Sequence, residues 1–377
     1  FGSSPRPHWV GGPGGAQAAG APRLRAMADL EEWLVPLAAQ ALLFTLLAGM
    51  AASVDVAVLR ERFRTWAGIA LGLGCQFAVL PAMGFASAKA FDLPPVFGIS
   101  LIAVTSSPGG AYSNWWCSLF NADLALSVAM TTCSTMVSIV FTPVNLFLYA
   151  YCTYGKVPEL DWWKMVASIA VALLAIPTGI GLSFYFPRQR GRFNAVGNAA
   201  GLALILFSVV VSSRDDPIWD KTPAFYGAVA LPCFCGLLLA FLLGYFAPCI
   251  SGPEAVAVTV ETCYQNTGLA LTVALATFGE EDRGKAAGVP LYYACVQIVL
   301  LPIFLLLSWK AGLTYAPRSA NLFHVLLYDY QPRGSPQISP MSTLESAEDG
   351  AAGMDADEIV RRLEAAEAAQ AKAAEAA

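Results

Sequence analysis

Two short runs in this sequence set polar side chains inside long apolar stretches, and such side chains can do chemistry. One is Ser106-Ser107-Pro108-Gly109-Gly110, followed by Ser113-Asn114; the other is Glu261-Thr262-Cys263-Tyr264-Gln265-Asn266-Thr267-Gly268. Glu261 is the one acidic residue well inside any apolar stretch. A carboxylate, amide oxygens, Ser and Thr hydroxyls and the carbonyls of an unwound backbone are hard oxygen ligands for a small cation. With one carboxylate and no histidine among them, sodium fits that set better than a transition metal. Pro and two Gly in mid-stretch cannot propagate a regular helix, and the N-terminus of a half-helix offers the positive end of its dipole to an anion. Each run also has a plainer reading. Pro-Gly-Gly can be a simple kink, a lone intramembrane Glu can be protonated and hydrogen-bonded for structure, and Ser, Thr and Asn can join neighbouring helices.

The elements that must position these residues are membrane spans. Hydrophobic residues make up 56% of the chain and charged ones 13%, about half the charge of an ordinary soluble protein. The charges collect between apolar stretches, because a charge at the hydrocarbon centre costs at least ~2.5–3.5 kcal/mol. Nine stretches are long enough to cross a bilayer: 32–54, 66–90, 96–119, 122–151, 162–186, 195–212, 222–247, 253–278 and 286–309. Arg60, Arg62 and Arg64 follow the first and Arg188, Arg190 and Arg192 the fifth. Loops of the opposite parity carry Asp215, Asp216 and Asp220, then Glu280, Glu281 and Asp282. The positive-inside rule puts the N-terminus outside and the C-terminus in the cytosol. Residues 1–29, rich in Gly, Pro and Ala, read as disordered and lack the apolar core of a signal peptide. Met27 is a candidate native start, and a trimmed organelle transit segment stays open. Residues 313–377 read as a mostly disordered cytosolic tail with a short helix over 354–377.

Several functions are disfavoured. No basic patch interleaved with aromatics suggests nucleic acid. Cys75, Cys117, Cys133, Cys263 and Cys295 fall inside apolar stretches without a C-x-x-C pair, as small hydrophobes do, and His8 and His324 lie outside the spans. Paired intramembrane aspartates, H-E-x-x-H and a Ser/His dyad within the spans are all missing, so an intramembrane enzyme is disfavoured. The two polar runs fall on the third span of a four-span half and the fourth span of a five-span half. The halves become symmetric if the first has lost its opening helix, and paired broken helices in inverted repeats point to a transporter's central site.

Four motifs carry a family resemblance. Gln76-Phe77-Ala78-Val79-Leu80-Pro81 comes first, then Ser107-Pro108-Gly109-Gly110-x-x-Ser113-Asn114. Leu126-Ser127-x-x-Met130-Thr131-Thr132-Cys133-Ser134-Thr135 and Glu261-x-x-x-Gln265-Asn266-x-Gly268-Leu269 follow. In this order they resemble the bile acid:sodium symporter family over residues 30–312. The resemblance implies an all-α, polytopic, ten-helix inverted-repeat fold whose first helix is absent here, with two crossed discontinuous helices. It implies a core domain of about 66–151 and 222–309 and a panel domain of about 32–54 and 162–212, with the crossing at 108–110 and 263–266. One implied sodium site is Ser113, Asn114, Ser127, Thr131 and Glu261. The second is Gln76, Glu261 and Gln265 with the carbonyls of Thr262 and Tyr264. The substrate region is Pro108, Gly109, Gly110, Ala111, Tyr112 and Asn266, where Ala111 and the bulky Tyr112 depart from the hydroxyl or amide and small residue common in relatives. Trp115 and Trp116 are also unusual and read as packing.

The implied activity is sodium-driven symport of an organic anion by alternating access, with two ions per anion and no cofactor beyond the coupling ions. Substrates in relatives range from bile acids and sulfated steroids to small carboxylates such as pyruvate and pantoate. The plasma membrane is the expected location, with an organelle envelope left open. Two alternatives stand beside this: proton coupling through Glu261, and a non-transporting membrane sensor on the same fold. The oligomeric state is not legible.

Overall fold

The structure is a computed structural model that describes residues 21–52, 66–110, 112–155, 162–213, 218–328 and 330–332 of the 377-residue chain. The N-terminal stretch to residue 20, Arg60, Arg62, Arg64, Ala111, Asp215, Asp216 and the segment 354–377 lie outside the described residues.

The fold is all helical. Helices α1 (Ala21–Ala51), α2 (Trp66–Ala90) and α3 (Pro95–Thr105) lead to the short α4 (Ser113–Leu119) and the long α5 (Leu124–Tyr154). Then come α6 (Trp162–Tyr185), α7 (Arg190–Ser212), α8 (Pro223–Phe246), α9 (Gly252–Cys263) and α10 (Thr267–Thr277). The last two are α11 (Glu280–Ala311) and α12 (Leu322–Leu327). α1 starts at Ala21, inside the 1–29 stretch that composition reads as disordered. Its first turn holds Pro22, whose missing N–H has no intrahelical partner to lose, and good helix formers follow.

Local chemistry sets the helix ends. Asp123 caps α5 by accepting from Leu126 N at 2.9 Å, Thr222 caps α8, and Ser251 with Glu254 forms a capping box on α9. Gly155 and Gly312 end α5 and α11 in the left-handed conformation, where glycine pays no Cβ penalty. One turn of α2, Cys75–Val79, is a π-turn. It bulges the helix at the fully buried Gln76, and Asn145 of α5 donates to the Phe77 carbonyl at 2.9 Å.

Among the described residues, six helical segments are long and apolar enough to cross a membrane: Leu34–Ala51, Trp66–Ala90, Leu124–Tyr154, Pro187–Ser212, Pro223–Phe246 and Glu281–Ala311. Pro95–Thr105, Ala170–Tyr185 and Thr267–Thr277 are shorter apolar helices. Large side chains such as Leu206, Phe234, Val299 and Leu307 face outward while Gln76, Asn114, Glu261, Gln265 and Gln297 are buried. This inversion of the soluble pattern suits a lipid solvent, and the chain is an integral, multi-pass membrane protein. Two apolar stretches, 96–119 and 253–278, are each split into two helices.

α1 packs chiefly on α6 and α7, while α2 packs on α5, α8 and α9. Glycine permits the closest approach: a Cβ on Gly49 of α1 would meet Gly197 Cα and Phe193 O of α7 at 2.6 Å. Without a hydrophobic drive between helices in lipid, such small-residue contacts hold them together.

The segment after α11, which composition reads as the start of a polar tail, folds back. Trp309, Ala316 and Val325 form a small buried cluster. Asn121, at φ 57°, donates from Nδ2 to Val325 O at 3.0 Å and accepts from Tyr330 N at 2.7 Å. Tyr315 donates from Oη to Asp123 Oδ2 at 3.2 Å. The few apolar residues of this segment find one pocket at the α4–α5 turn, which local composition does not reveal.

Candidate functional site

The two split stretches meet at their breaks. α3 ends at Thr105, Pro108 interrupts the ladder, and α4 resumes at Ser113. α9 ends at Cys263 and α10 resumes at Thr267, capped by Asn266 Oδ1 accepting from Leu269 N at 2.9 Å. Between the breaks, Gly109 and Gln265 form an isolated antiparallel bridge, the sole β pairing among the described residues. Gly110 N donates to Tyr264 O at 2.7 Å, and Asn266 N donates to Pro108 O at 2.9 Å. Each break thus satisfies backbone groups that the other frees, as an interrupted helix in lipid requires. Only glycine fits the crossing. A Cβ on Gly109 would meet Glu261 Oε1 at 2.0 Å, and one on Gly110 would meet Tyr264 Cδ1 at 2.7 Å and Gln265 O at 2.9 Å.

Glu261 is fully buried beside this crossing. Its Oε1 accepts from Thr131 Oγ1 at 2.7 Å and its Oε2 from Ser127 Oγ at 3.1 Å. Ser127 Oγ also lies 2.8 Å from Asn114 Oδ1, and Thr131 Oγ1 lies 3.4 Å from the same atom and 3.0 Å from Ser127 O. Ser113 Oγ is 3.5 Å from Thr131 Oγ1 and donates to Gly110 O at 2.7 Å. Ser127 and Thr131 bring one hydroxyl proton each, within reach of the carboxylate oxygens, Asn114 Oδ1 and the Ser127 carbonyl. Carboxylate, amide and hydroxyl oxygens gathered in this way are hard ligands of the kind a small cation takes.

Gln76 and Gln265 lie on the other side of the crossing. Gln76 Nε2 donates to Ser107 O at 3.1 Å and Gln265 Oε1 at 3.2 Å, and Gln265 Nε2 donates to Thr262 O at 2.6 Å. Gln76 Oε1 and Thr262 Oγ1 are buried acceptors with no hydrogen-bond partner. Among the described residues no hydrogen bond joins Glu261 to Gln76 or Gln265; both of its oxygens face Ser127 and Thr131.

Sequence reasoning missed three polar side chains. Gln297 of α11 accepts from Gln265 N at 2.6 Å through Oε1, while its Nε2 is buried without a partner. Ser134 accepts from Gly109 N at 3.2 Å, and Thr142 donates to Ser106 O at 2.7 Å. A lone amide in the ninth apolar stretch was the available signal for Gln297.

Two clefts adjoin the crossing. The first is lined at its polar end by Gln265, Asn266 and Thr267 and along its side by Leu204, Leu271 and Ile298. The second is lined by Asn114, Thr131 and Thr135 opposite Leu47, Met50 and Ile176. Tyr112 borders the first cleft, and its Oη donates to Asn198 O of α7 at 3.1 Å. Trp116 packs on the main core and stacks edge-on with Trp115, ring centroids 4.7 Å apart. No group of three or more His, Cys, Asp or Glu able to hold a metal occurs among the described residues.

Residues 40–215 match the family profile described as Sodium Bile acid symporter family. The ileal sodium/bile acid cotransporter of Oryctolagus cuniculus is 31% identical over 248 residues, 64% of this chain and 70% of the relative. The chain belongs to the sodium/bile acid symporter family. The hepatic sodium/bile acid cotransporter of Homo sapiens is 27% identical over 273 residues, 70% of this chain and 78% of the relative. The sodium-dependent organic anion transporter of Homo sapiens is 27% identical over 259 residues, 67% of this chain and 68% of the relative. In this member of the family the profile match runs from within α1 to just past α7, and Glu261 lies beyond it.

Proposed function

We propose that this chain is a secondary active symporter that carries an organic anion inward together with two sodium ions. The observation that carries the reading is the fully buried Glu261, with the Ser127 and Thr131 hydroxyls on its two oxygens and Asn114 Oδ1 2.8 Å from Ser127 Oγ, a cluster of hard oxygen ligands around one buried carboxylate. In this reading Ser113, Asn114, Ser127, Thr131 and Glu261 hold one ion. Gln76, Glu261 and Gln265, with the carbonyls of Thr262 and Tyr264, hold the second, and the unpartnered Gln76 Oε1 supports it. The anion docks at the polar end of the first cleft. Asn266 Nδ2 is buried there without a partner, beside the N-terminus of α10, where the helix dipole favours negative charge.

The shared crossing links the sites. Asn266 N is tied to Pro108 O and Gly110 N to Tyr264 O, so a cation that draws Glu261 and Gln265 into place also sets the strand that meets the anion. Alternating access follows from α1, α6 and α7 moving as a panel against the remaining spans. Two sodium ions with one monoanion carry one net positive charge inward, which gains ~2.3 kcal/mol per 100 mV of inside-negative potential. The plasma membrane, with the C-terminus in the cytosol, is the location this reading assigns.

The test is uptake of labelled taurocholate, a steroid sulfate, pyruvate and pantoate into proteoliposomes, with a sodium gradient and with potassium in its place. The expected result is uptake of at least one anion that needs external sodium and is lost in Glu261→Ala. Equal uptake without sodium would overturn the coupling and favour proton symport through Glu261, a reading that also predicts loss of uptake in Glu261→Gln.

A further inference from the structure

Tyr112 lines the first cleft, and Asn114, two residues on, lines the second. Tyr112 packs on Leu46, which also lines the first cleft, and on Ala200 of α7, the same pair on which Met50 of the second cleft packs. Its phenol is seated against α7 at a glycine: a Cβ on Gly201 would meet Tyr112 Oη at 2.2 Å and Cζ at 3.0 Å. The hydrogen bond from Oη to Asn198 O closes the seat. The second cleft carries Asn114 and Thr131 of the cation nest; the first carries Gln265, Asn266 and Thr267. A rigid aromatic side chain with few rotatable bonds fills a passage at small entropic cost.

We infer that Tyr112 sets the size of the anion this protein accepts: it closes the passage between the clefts, so that the bound anion is a compact carboxylate whose apolar part fits the first cleft alone, not a four-ring steroid conjugate lying across both. This rests on the symport reading for its physiological meaning, while the size limit is a property of binding. A steroid body continuing past the crossing would have to displace the phenol from the Gly201 seat and break its bond to Asn198. An anion with a short aliphatic or single-ring part leaves that seat closed and needs only the polar end at Asn266 and the apolar wall at Leu204, Leu271 and Ile298.

Binding of taurocholate to the purified full-length protein in sodium, read by ligand-induced thermal stabilisation, tests this on wild type, Tyr112→Ala and Tyr112→Phe. The expected result is no stabilisation of wild type or Tyr112→Phe, which keeps the ring. Tyr112→Ala should bind taurocholate at least about tenfold more tightly, a difference of ~1.4 kcal/mol. Taurocholate binding wild type and Tyr112→Ala alike, or neither, would overturn the inference, as would Tyr112→Phe behaving like Tyr112→Ala. If Tyr112→Ala does not fold, Tyr112→Leu shortens the plug and carries the same comparison. Sodium-gradient uptake of pantoate and pyruvate, measured in parallel, separates the two claims: its absence beside the expected binding pattern refutes the transport reading and leaves the size limit standing.

Discussion

Gly109→Ala is the smallest change that strikes the proposed cation site without altering a ligand. The added Cβ would sit 2.0 Å from Glu261 Oε1, 2.7 Å from its Cδ and 3.2 Å from its Cγ. The backbone here is pinned by the bridge to Gln265 and by Gly109 N donating to Ser134 Oγ, so the carboxylate must yield. Reaching an ordinary 3.4 Å contact from 2.0 Å means a retreat of about 1.4 Å, half the length of its 2.7 Å bond to Thr131. A carboxylate displaced this far loses its contact with the ion, and if that contact is worth the ~1.5–3 kcal/mol of a charge-assisted bond, sodium binding weakens by about 10- to 100-fold. The assay is the sodium-activation curve of anion uptake, with the melting temperature of the purified variant recorded as a check on folding. Gly110→Ala is the contrasting variant. Its Cβ meets the Tyr264 ring and the Gln265 carbonyl, so it should raise the anion KM more than the sodium requirement. A folded Gly109→Ala protein whose sodium curve overlies that of wild type would refute the assignment of Glu261 as a cation ligand.

Two further perturbations test the scaffold. Asn121→Ala removes the donor to Val325 O and the acceptor for Tyr330 N at a left-handed backbone position, a loss of about 1 kcal/mol per bond plus ~1–2 kcal/mol of backbone cost. The melting temperature should fall by several degrees, and an unchanged melt would show that the segment after α11 does not clamp the α4–α5 turn. Gly49→Leu should disrupt the α1–α7 contact and lower the yield of folded protein, because a Cβ there meets α7 backbone at 2.6 Å. Gly74→Leu, at a position with nothing within 4 Å of the added Cβ, should be recovered at wild-type yield, and equal yields of both would count against the packing.

How much of this was legible in the sequence depends on whether a residue's meaning is local. Glu261 stands out because an acid is expensive in hydrocarbon wherever it occurs, and Pro108-Gly109-Gly110 announces a helix break by its own chemistry. The second break carries no proline or mid-run glycine. Its polarity was visible, but the halt at Cys263 depends on pairing with the first break. Gln297 acquires its role from a backbone N–H in the second break, and Tyr112 from a glycine on α7. Pairings of this kind leave no period or motif. The segment after α11 misled for a related reason: its helix is six residues long, and the apolar side chains that anchor it are too sparse to read as anything but a tail.

The bridge between the breaks also has a consequence for how the chain is made. Synthesis delivers the 108–110 break to the bilayer well before the 263–266 break exists. Until then the Pro108 carbonyl and the Gly110 amide lack the partners they hold in the finished fold, and in hydrocarbon each such group costs several kcal/mol. The first broken helix therefore has to wait in a wet or protein-lined place, such as the insertion machinery or a partly assembled bundle, and its commitment to lipid is timed by the arrival of Tyr264 and Asn266. A chain truncated before Tyr264 should remain bound to that machinery or be degraded, because the two members of each hydrogen bond are made far apart in time.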